Sequence, residues 1–192
     1  MGVLIKGGEA LERAEKLDTI VFDKTGTLTW GKPEVADVLL APATQLDAEQ
    51  LLALAGSLEK GSEHPLAQAV VTEAQRRGLK LKTPVDFNAL PGFGVEGKVD
   101  DQKVLLGNKR LMVENQIDIS SIDDQLVKLT ENGKTPMILC VDGQVAGLLA
   151  TTDALKPHAK ENILHLKKMG LEVVMLTGDN SNTAQTVARQ LG

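Results

Sequence analysis

Aromatic side chains are scarce in this sequence. Its 192 residues include no tyrosine, one tryptophan (Trp30) and three phenylalanines (Phe22, Phe87 and Phe93). Its cores must therefore be aliphatic, and a row of rings for stacking nucleic-acid bases is not available. A single cysteine, Cys140, rules out an internal disulfide and a Cys-x-x-Cys metal site, as suits a reducing compartment. Positive charge is in deficit, 21 Lys and Arg against 26 Asp and Glu for a net charge of −5. No broad basic surface is expected, which argues against nucleic acid as a partner. No apolar run reaches the ~18 to 20 residues that cross a bilayer, and the N-terminus lacks a cleavable signal pattern, so the chain as written reads as soluble. Two nucleotide-binding signatures are also missing, the Gly-x-x-x-x-Gly-Lys-Ser/Thr loop and a Gly-x-Gly-x-x-Gly turn after a strand. What remains, 42% hydrophobic and 24% charged, is ordinary globular composition with enough length for one or two cores.

Two short apolar runs, 18–22 (DTIVF) and 171–176 (LEVVML), read as buried strands, each ending in a polar segment, 23–27 (DKTGT) and 177–179 (TGD). Residues 156–169 carry apolar Ala159, Ile163, Leu166 and Met169 at helical spacing and stop at Gly170, while 183–191 repeat the pattern. The C-terminal part thus reads helix, strand, loop, helix, the grammar of an α/β domain with its site at the strand ends. From about Glu34 to Thr151 the rhythm differs. Helices are expected over 48–58, 65–77 and 121–132, and a further helix is opened by Gly107-Asn108. Hairpins are expected where 94–99 turns at Asp100-Asp101 into 103–106, and where 137–141 turns at Asp142-Gly143 into 144–150. The expectation is an antiparallel sheet with helices on one side, inserted into the α/β part. The boundaries, near Pro33 and Thr152, are turn signals rather than linkers.

Asp23-Lys24-Thr25-Gly26-Thr27-Leu28-Thr29 follows a buried strand, where a carboxylate beside backbone N–H groups and a magnesium ion is a competent nucleophile toward phosphorus. These seven residues resemble the phosphorylation motif of the P-type ATPases, within the haloacid-dehalogenase-like superfamily. The resemblance implies that Asp23 accepts the γ-phosphoryl group of ATP, that Asp23 and the Thr25 carbonyl hold Mg²⁺, and that Lys24 and Thr27 line the same site. Thr177-Gly178-Asp179 is similar to the superfamily's second motif. There the Thr177 hydroxyl and the Gly178 amide would hold phosphoryl oxygens, and Asp179 would orient the nucleotide or the loop. Asp153-Ala154-Leu155-Lys156 sits where these ATPases carry a hinge segment, with Ala154 and Lys156 departing from its usual form.

Ser62-Glu63-His64-Pro65-Leu66-Ala67 places a histidine at a helix mouth preset by Pro65. The hexapeptide resembles the His-Pro motif of the heavy-metal-transporting branch of the P-type ATPases. That implies that His64 orients adenine and that Glu59 sits near the adenine amino edge. Gly92 and Gly94, in Pro91-Gly92-Phe93-Gly94-Val95, form a tight turn into a strand and match the branch's paired glycines, against which the nucleotide lies. Asn108 matches an asparagine of the same pocket. Trp30 is expected on the surface of a turn, Cys140 as a small core residue, and His158 and His165, seven apart, as solvated positions too distant to share a metal.

The expected fold class is therefore α/β. A haloacid-dehalogenase-like phosphorylation domain with an incomplete Rossmann-like parallel sheet, residues 1–33 and 153–192, would hold an inserted α+β nucleotide-binding domain on an antiparallel sheet, residues 34–152. The resemblance runs from Gly2-Val3-Leu4-Ile5-Lys6 to Gly192, and the chain ends thirteen residues after Asp179, before a lysine and a Gly-Asp-Gly-x-Asn-Asp segment that such ATPases carry. It implies a cytoplasmic portion of an integral membrane copper-type transporter. Its cofactors would be ATP and Mg²⁺, and its partners the rest of the parent chain: actuator domain, membrane helices and the remaining phosphorylation domain. The transported ion would bind elsewhere, and the chain alone should bind ATP but turn over poorly. The alternatives are a capped phosphatase of the same superfamily and a non-catalytic nucleotide-binding module. The former is disfavoured because position 25 is Thr, where such phosphatases place a second Asp as general acid.

Overall fold

The computed structural model describes residues 7–178 and 181–192, and its strands divide between two sheets. Strand β1 (Thr19–Asp23) pairs in parallel with β8 (Glu172–Leu176), register running from Thr19 opposite Glu172 to Asp23 opposite Leu176. Parallel neighbours need a covered crossover. Here it comprises everything between them, ending in helix α6 (Ala159–Lys168), which is stopped by Gly170 in the left-handed conformation at φ 88°. Helix α7 (Ser181–Leu191) follows β8, and helix α1 (Gly8–Glu15) precedes β1. Phe22, Val173 and Met175 pack with Leu28, Leu155, Ala159, Ile163, Val187 and Leu191 into a small aliphatic core. Residues 1–6, which carry the Gly2–Lys6 part of the resemblance, lie outside the described residues.

The second sheet has six antiparallel strands in the order β2-β7-β6-β5-β4-β3. They are β2 (Glu34–Leu40), β3 (Val85–Leu90), β4 (Gly94–Val99), β5 (Gln102–Gly107), β6 (Thr135–Val141) and β7 (Gln144–Thr152). Both expected hairpins form, and their central residues have positive φ, 52° and 64° at Asp100-Asp101 and 48° and 81° at Asp142-Gly143. Two consecutive positive φ values match the right-handed twist of the flanking strands, which short polar residues and glycine tolerate best.

Helices cover both faces of this sheet, not one as the sequence pattern suggested. Helices α2 (Ala48–Glu59) and α3 (Pro65–Arg76) bury Leu51, Leu52, Leu58 and Val70 against Val104, Leu106, Leu139 and Leu149. Helices α4 (Lys109–Glu114) and α5 (Asp123–Glu131) bury Leu111, Met112, Leu126 and Leu129 against Leu105, Ile138, Cys140 and Leu148. The reason lies in the strands: 104–106 and 137–140 are apolar at every position, so alternate side chains need cover on opposite faces.

Helix α6 begins three residues later than its periodicity suggests. Lys156 is used elsewhere, its N–H donating to the Leu28 carbonyl (2.8 Å) and its ammonium to the Gly26 carbonyl (2.5 Å). His158, at φ 65°, then stands at the N-cap position without a side-chain cap hydrogen bond.

Candidate active site

Because Asp23 and Leu176 are register partners, the loops after β1 and β8 leave the parallel sheet at the same end, where α/β sheets place ligands. The first loop is a turn of type II geometry: Thr25 at φ −78°, ψ 122° and Gly26 at φ 77°, ψ −16°. Its second central position needs positive φ, so glycine at 26 is what lets the chain fold back there. Lys24 is buried, while Asp23, Thr25 and Thr27 are exposed around the turn. Thr177 and Gly178 follow β8 at the same end of the sheet, half-buried and exposed respectively; Asp179 lies outside the described residues.

Asp153 holds this loop to the end of β7. Its Oδ2 accepts from the Thr29 hydroxyl (2.5 Å) and the Gly31 N–H (3.2 Å), and its Oδ1 from the Lys32 N–H (3.2 Å). Thr29 Oγ1 also accepts from the Gly26 N–H (3.3 Å), so the turn and both strands connecting the sheets share one polar node. Trp30 N–H adds a bond to the Ala154 carbonyl (3.1 Å), leaving its ring more than half exposed with the Lys156 ammonium 5.9 Å from its centroid.

The residues assigned to nucleotide binding come together elsewhere. Glu59, His64, Gly92, Gly94 and Asn108 line one cavity of about 320 Å³, with Ser62, Phe93 and the start of β6 (Thr135 to Met137). Glu59 ends α2, is 6% exposed, and its Oε2 has no hydrogen-bond partner in the structure. Burial pushes its carboxyl up to about 7, a hydrogen bond from the Ser62 side chain partly opposing the shift. A buried carboxylate oxygen without a donor is costly, so this atom is set to receive one from a ligand.

His64 is the N-cap of α3, with Pro65 at the first helical position. Its Nδ1 accepts from the Leu66 N–H (3.2 Å), so in the neutral ring the proton sits on Nε2. Gly94, at φ 148°, lies so close to the Leu106 carbonyl that a Cβ there would overlap it, and Gly107 opposite is equally crowded by the Phe93 carbonyl. Gly94 and Gly107 therefore let β4 and β5 close into the rim, whereas Gly92 meets no neighbour and serves the turn through its positive φ of 78°. Asn108 ties that rim together: its Nδ2 donates to the Gly92 carbonyl (2.8 Å) and its Oδ1 caps α4 through the Leu111 N–H (3.1 Å). With both polar atoms engaged, Asn108 shapes the pocket from its edge.

The sequence reading left out the Ser62 hydroxyl, the clasp made by Asp153, and Thr135 to Met137. Ser62 stood inside the hexapeptide already singled out. The β6 residues carry no local signal, since only the sheet order brings them opposite Gly92. A larger cleft of about 620 Å³ lies between Gly31–Val35 and α3 and is lined by none of the expected site residues among those described. There Glu73 is held down at about 2, first by its hydrogen bond to Arg76 and then by Arg77.

Asp23 with the Thr25 carbonyl is a sparse oxygen set. That suits Mg²⁺, which keeps several waters and takes further oxygens from phosphates, rather than a metal needing a dedicated cage. Among the described residues no group of three or more His, Cys, Asp or Glu could hold a metal ion.

The chain belongs to the haloacid dehalogenase-like hydrolase family, whose model matches residues 17–192. It is 45% identical, over its whole length, to a copper-exporting P-type ATPase of Staphylococcus aureus (strain bovine RF122 / ET3-1), of which it spans 23%. Among solved structures it resembles a zinc-transporting PIB-type ATPase in the E2.Pi state, with TM-score 0.76 and 37% identity over 98% of this chain and 30% of that one. It also resembles the catalytic domain of the CPx-ATPase CopB-B, with TM-score 0.68 and 26% identity over 98% of this chain and 63% of that one.

Proposed function

We propose that this chain is the ATP-binding and phosphoryl-accepting region of a heavy-metal-transporting P-type ATPase, with copper as the cargo. The nucleotide-binding domain would be residues 34–152, and the phosphorylation domain residues 1–33 and 153–192. The observation that carries this reading is the gathering of Glu59, His64, Gly92, Gly94 and Asn108 around one cavity, while Asp23 and Thr177 lie at paired strand ends. Adenine would enter the cavity with its amino group toward Glu59 and its edge toward the Nε2 side of His64. The copper exporter at 45% identity supports the cargo, although selectivity itself belongs to parts of such a transporter beyond this segment.

In the transfer step an Asp23 oxygen attacks the γ-phosphorus. The bond from that phosphorus to the bridging oxygen breaks, ADP leaves with the electron pair, and an aspartyl phosphate remains. The Thr177 hydroxyl and the Gly178 amide would hold the phosphoryl oxygens as charge moves onto them. Lys24 and Thr27 flank the Thr25–Gly26 turn and would line the same site, and Asp179 would orient the nucleotide or the loop. Asp23 and the Thr25 carbonyl would hold Mg²⁺, which when bound would supply charge neutralisation at the transferring group. Thr at position 25 leaves no second carboxylate to activate water there, which favours a lasting phosphoenzyme over a phosphatase. Among the described residues, none that lines the cavity comes from 7–33 or 153–192, so transfer requires the pocket and Asp23 to approach each other about the Asp153 node.

Outside these residues, no helix among those described is long and apolar enough to cross a membrane. Membrane anchoring, the actuator domain and the rest of the phosphorylation domain would be supplied by the parent chain, whose relatives extend well beyond this segment. Alone, the chain should bind ATP and form little phosphoenzyme. Calorimetric titration with ATP and with GTP, on the wild type and on His64→Ala, tests the reading. ATP-selective binding weakened by the substitution is expected, and no ATP binding by the folded chain would remove it.

A further inference from the structure

A nucleoside triphosphate carries several negative charges, yet the cavity that would take its base is lined, among the described residues, by Glu59 and by no lysine or arginine. Something at the rim must receive the phosphates. Two cations follow Asn108. The Lys109 ammonium is paired with Asp123 Oδ1 at 2.7 Å. Arg110 makes no ion pair in the structure; its guanidinium lies 4.6 Å from the centroid of the Phe93 ring, and Phe93 lines the cavity.

The difference matters chemically. A guanidinium drawn to a ring face is oriented by it, but the ring takes none of the five N–H donors spread around the guanidinium edge. Arg110 is thus held in place with its hydrogen-bonding capacity unspent, which suits a forked contact to phosphate. The rim it stands on is fixed, since Asn108 N–H donates to the Phe93 carbonyl (2.9 Å) and Asn108 Nδ2 to the Gly92 carbonyl (2.8 Å).

We propose that Arg110, oriented by stacking on Phe93, receives the polyphosphate of a nucleotide whose base occupies this cavity. It thereby sets the preference for nucleoside polyphosphate over nucleoside. The proposal rests on the nucleotide reading above and adds a residue that none of the recognised motifs contains.

The test is titration of the 192-residue chain with ATP, ADP and adenosine, for the wild type, Arg110→Met and Lys109→Met, with folding checked by circular dichroism. Arg110→Met keeps the apolar stem and removes the fork. It should lower ATP affinity about tenfold, the scale of one charge-assisted contact, and leave adenosine affinity within about twofold. Lys109→Met should change the ATP-to-adenosine ratio less, and added salt should narrow that ratio in the wild type more than in Arg110→Met. An unchanged ratio in Arg110→Met would overturn the assignment while leaving the nucleotide reading intact. Equal loss of both ligands would make Arg110 a structural part of the rim and overturn it as well. If neither ATP nor adenosine binds the wild type, the nucleotide reading fails and Arg110 falls with it.

Discussion

The six-stranded and two-stranded sheets of this chain are finished to different degrees. In the larger one β5, β6 and β7 are covered on both faces, and Leu105, Leu106, Ile138, Leu139, Leu148 and Leu149 are each at most 2% exposed. In the smaller one Phe22, Val173 and Met175 pack against the helices, while Val21 and Leu176 on the other side are 58% and 63% exposed. The region that holds the pocket stands on buried aliphatic packing. The region that holds Asp23 relies on a thin core and on the polar node at Asp153. One sheet can present a rigid cavity; the other presents a loop whose position depends on a few hydrogen bonds.

The sharpest way to break this contrast is to cut the same kind of side chain from each sheet. Leu148→Ala, in the doubly covered sheet, should cost about 2 to 5 kcal/mol, whereas Val21→Ala, on the open face, should stay within about 0.5 kcal/mol. Chemical denaturation followed by hydrogen exchange in each sheet reads the difference, and comparable losses would erase the distinction.

Glu59 gives the next largest effect. Its carboxyl has a pKa of about 7 in the folded chain against an ordinary 4.5, so the folded state holds the extra proton between those values. Its contribution to stability is therefore fully present below pH 4.5 and is lost as pH rises through 7, by on the order of 3 kcal/mol. Glu59→Gln should remove that slope and be the more stable protein at pH 8. In binding the sign reverses: a carboxylate that accepts from an amino group favours ionisation, so ATP should bind more weakly below pH 7 and release protons on binding near pH 6.5. Titration in buffers of different ionisation enthalpy would show this, and proton uptake would contradict it.

Asp153→Ala probes the other region. It leaves the Gly31 and Lys32 amides without their acceptor, at about 1 to 3 kcal/mol for groups so placed. Faster exchange at those two amides with an unaltered nucleotide pocket is expected; altered pocket resonances would mean that the two regions are more tightly coupled. His64→Ala should be the mildest for stability, about 1 kcal/mol for loss of a helix cap, with its larger effect on ATP affinity.

Features with local signals were legible in the sequence. The Asp142-Gly143 turn, the Pro65 helix start and the two strands ending at the polar loops all form where expected. Strands β2 and β3 were not anticipated, because each is interrupted: the register shifts between Val35 and Asp37 in β2 and between Val85 and Asn88 in β3, with Asp86 at φ 53°. Such irregularities destroy the period-two alternation by which a strand is read. Helices on both faces of the larger sheet were missed because a short apolar run does not say which neighbours cover it. The expected pocket residues lie between positions 59 and 108 on separate elements, so only the resemblance, not spacing, brought them into one site, and Thr135 to Met137 were left out. Asp153 stood in a segment with two departures from the family form, yet its carboxylate proved to be the node between the sheets.

The most direct test of the account is an amide chemical-shift map of the isotopically labelled chain titrated with ATP. The account predicts shifts concentrated at Glu59, Ser62, His64, Gly92, Gly94 and Asn108, with smaller ones at the hinge near Gly31 and Lys32. Shifts confined to the cleft between Gly31–Val35 and α3, or none at saturating ATP, would contradict it.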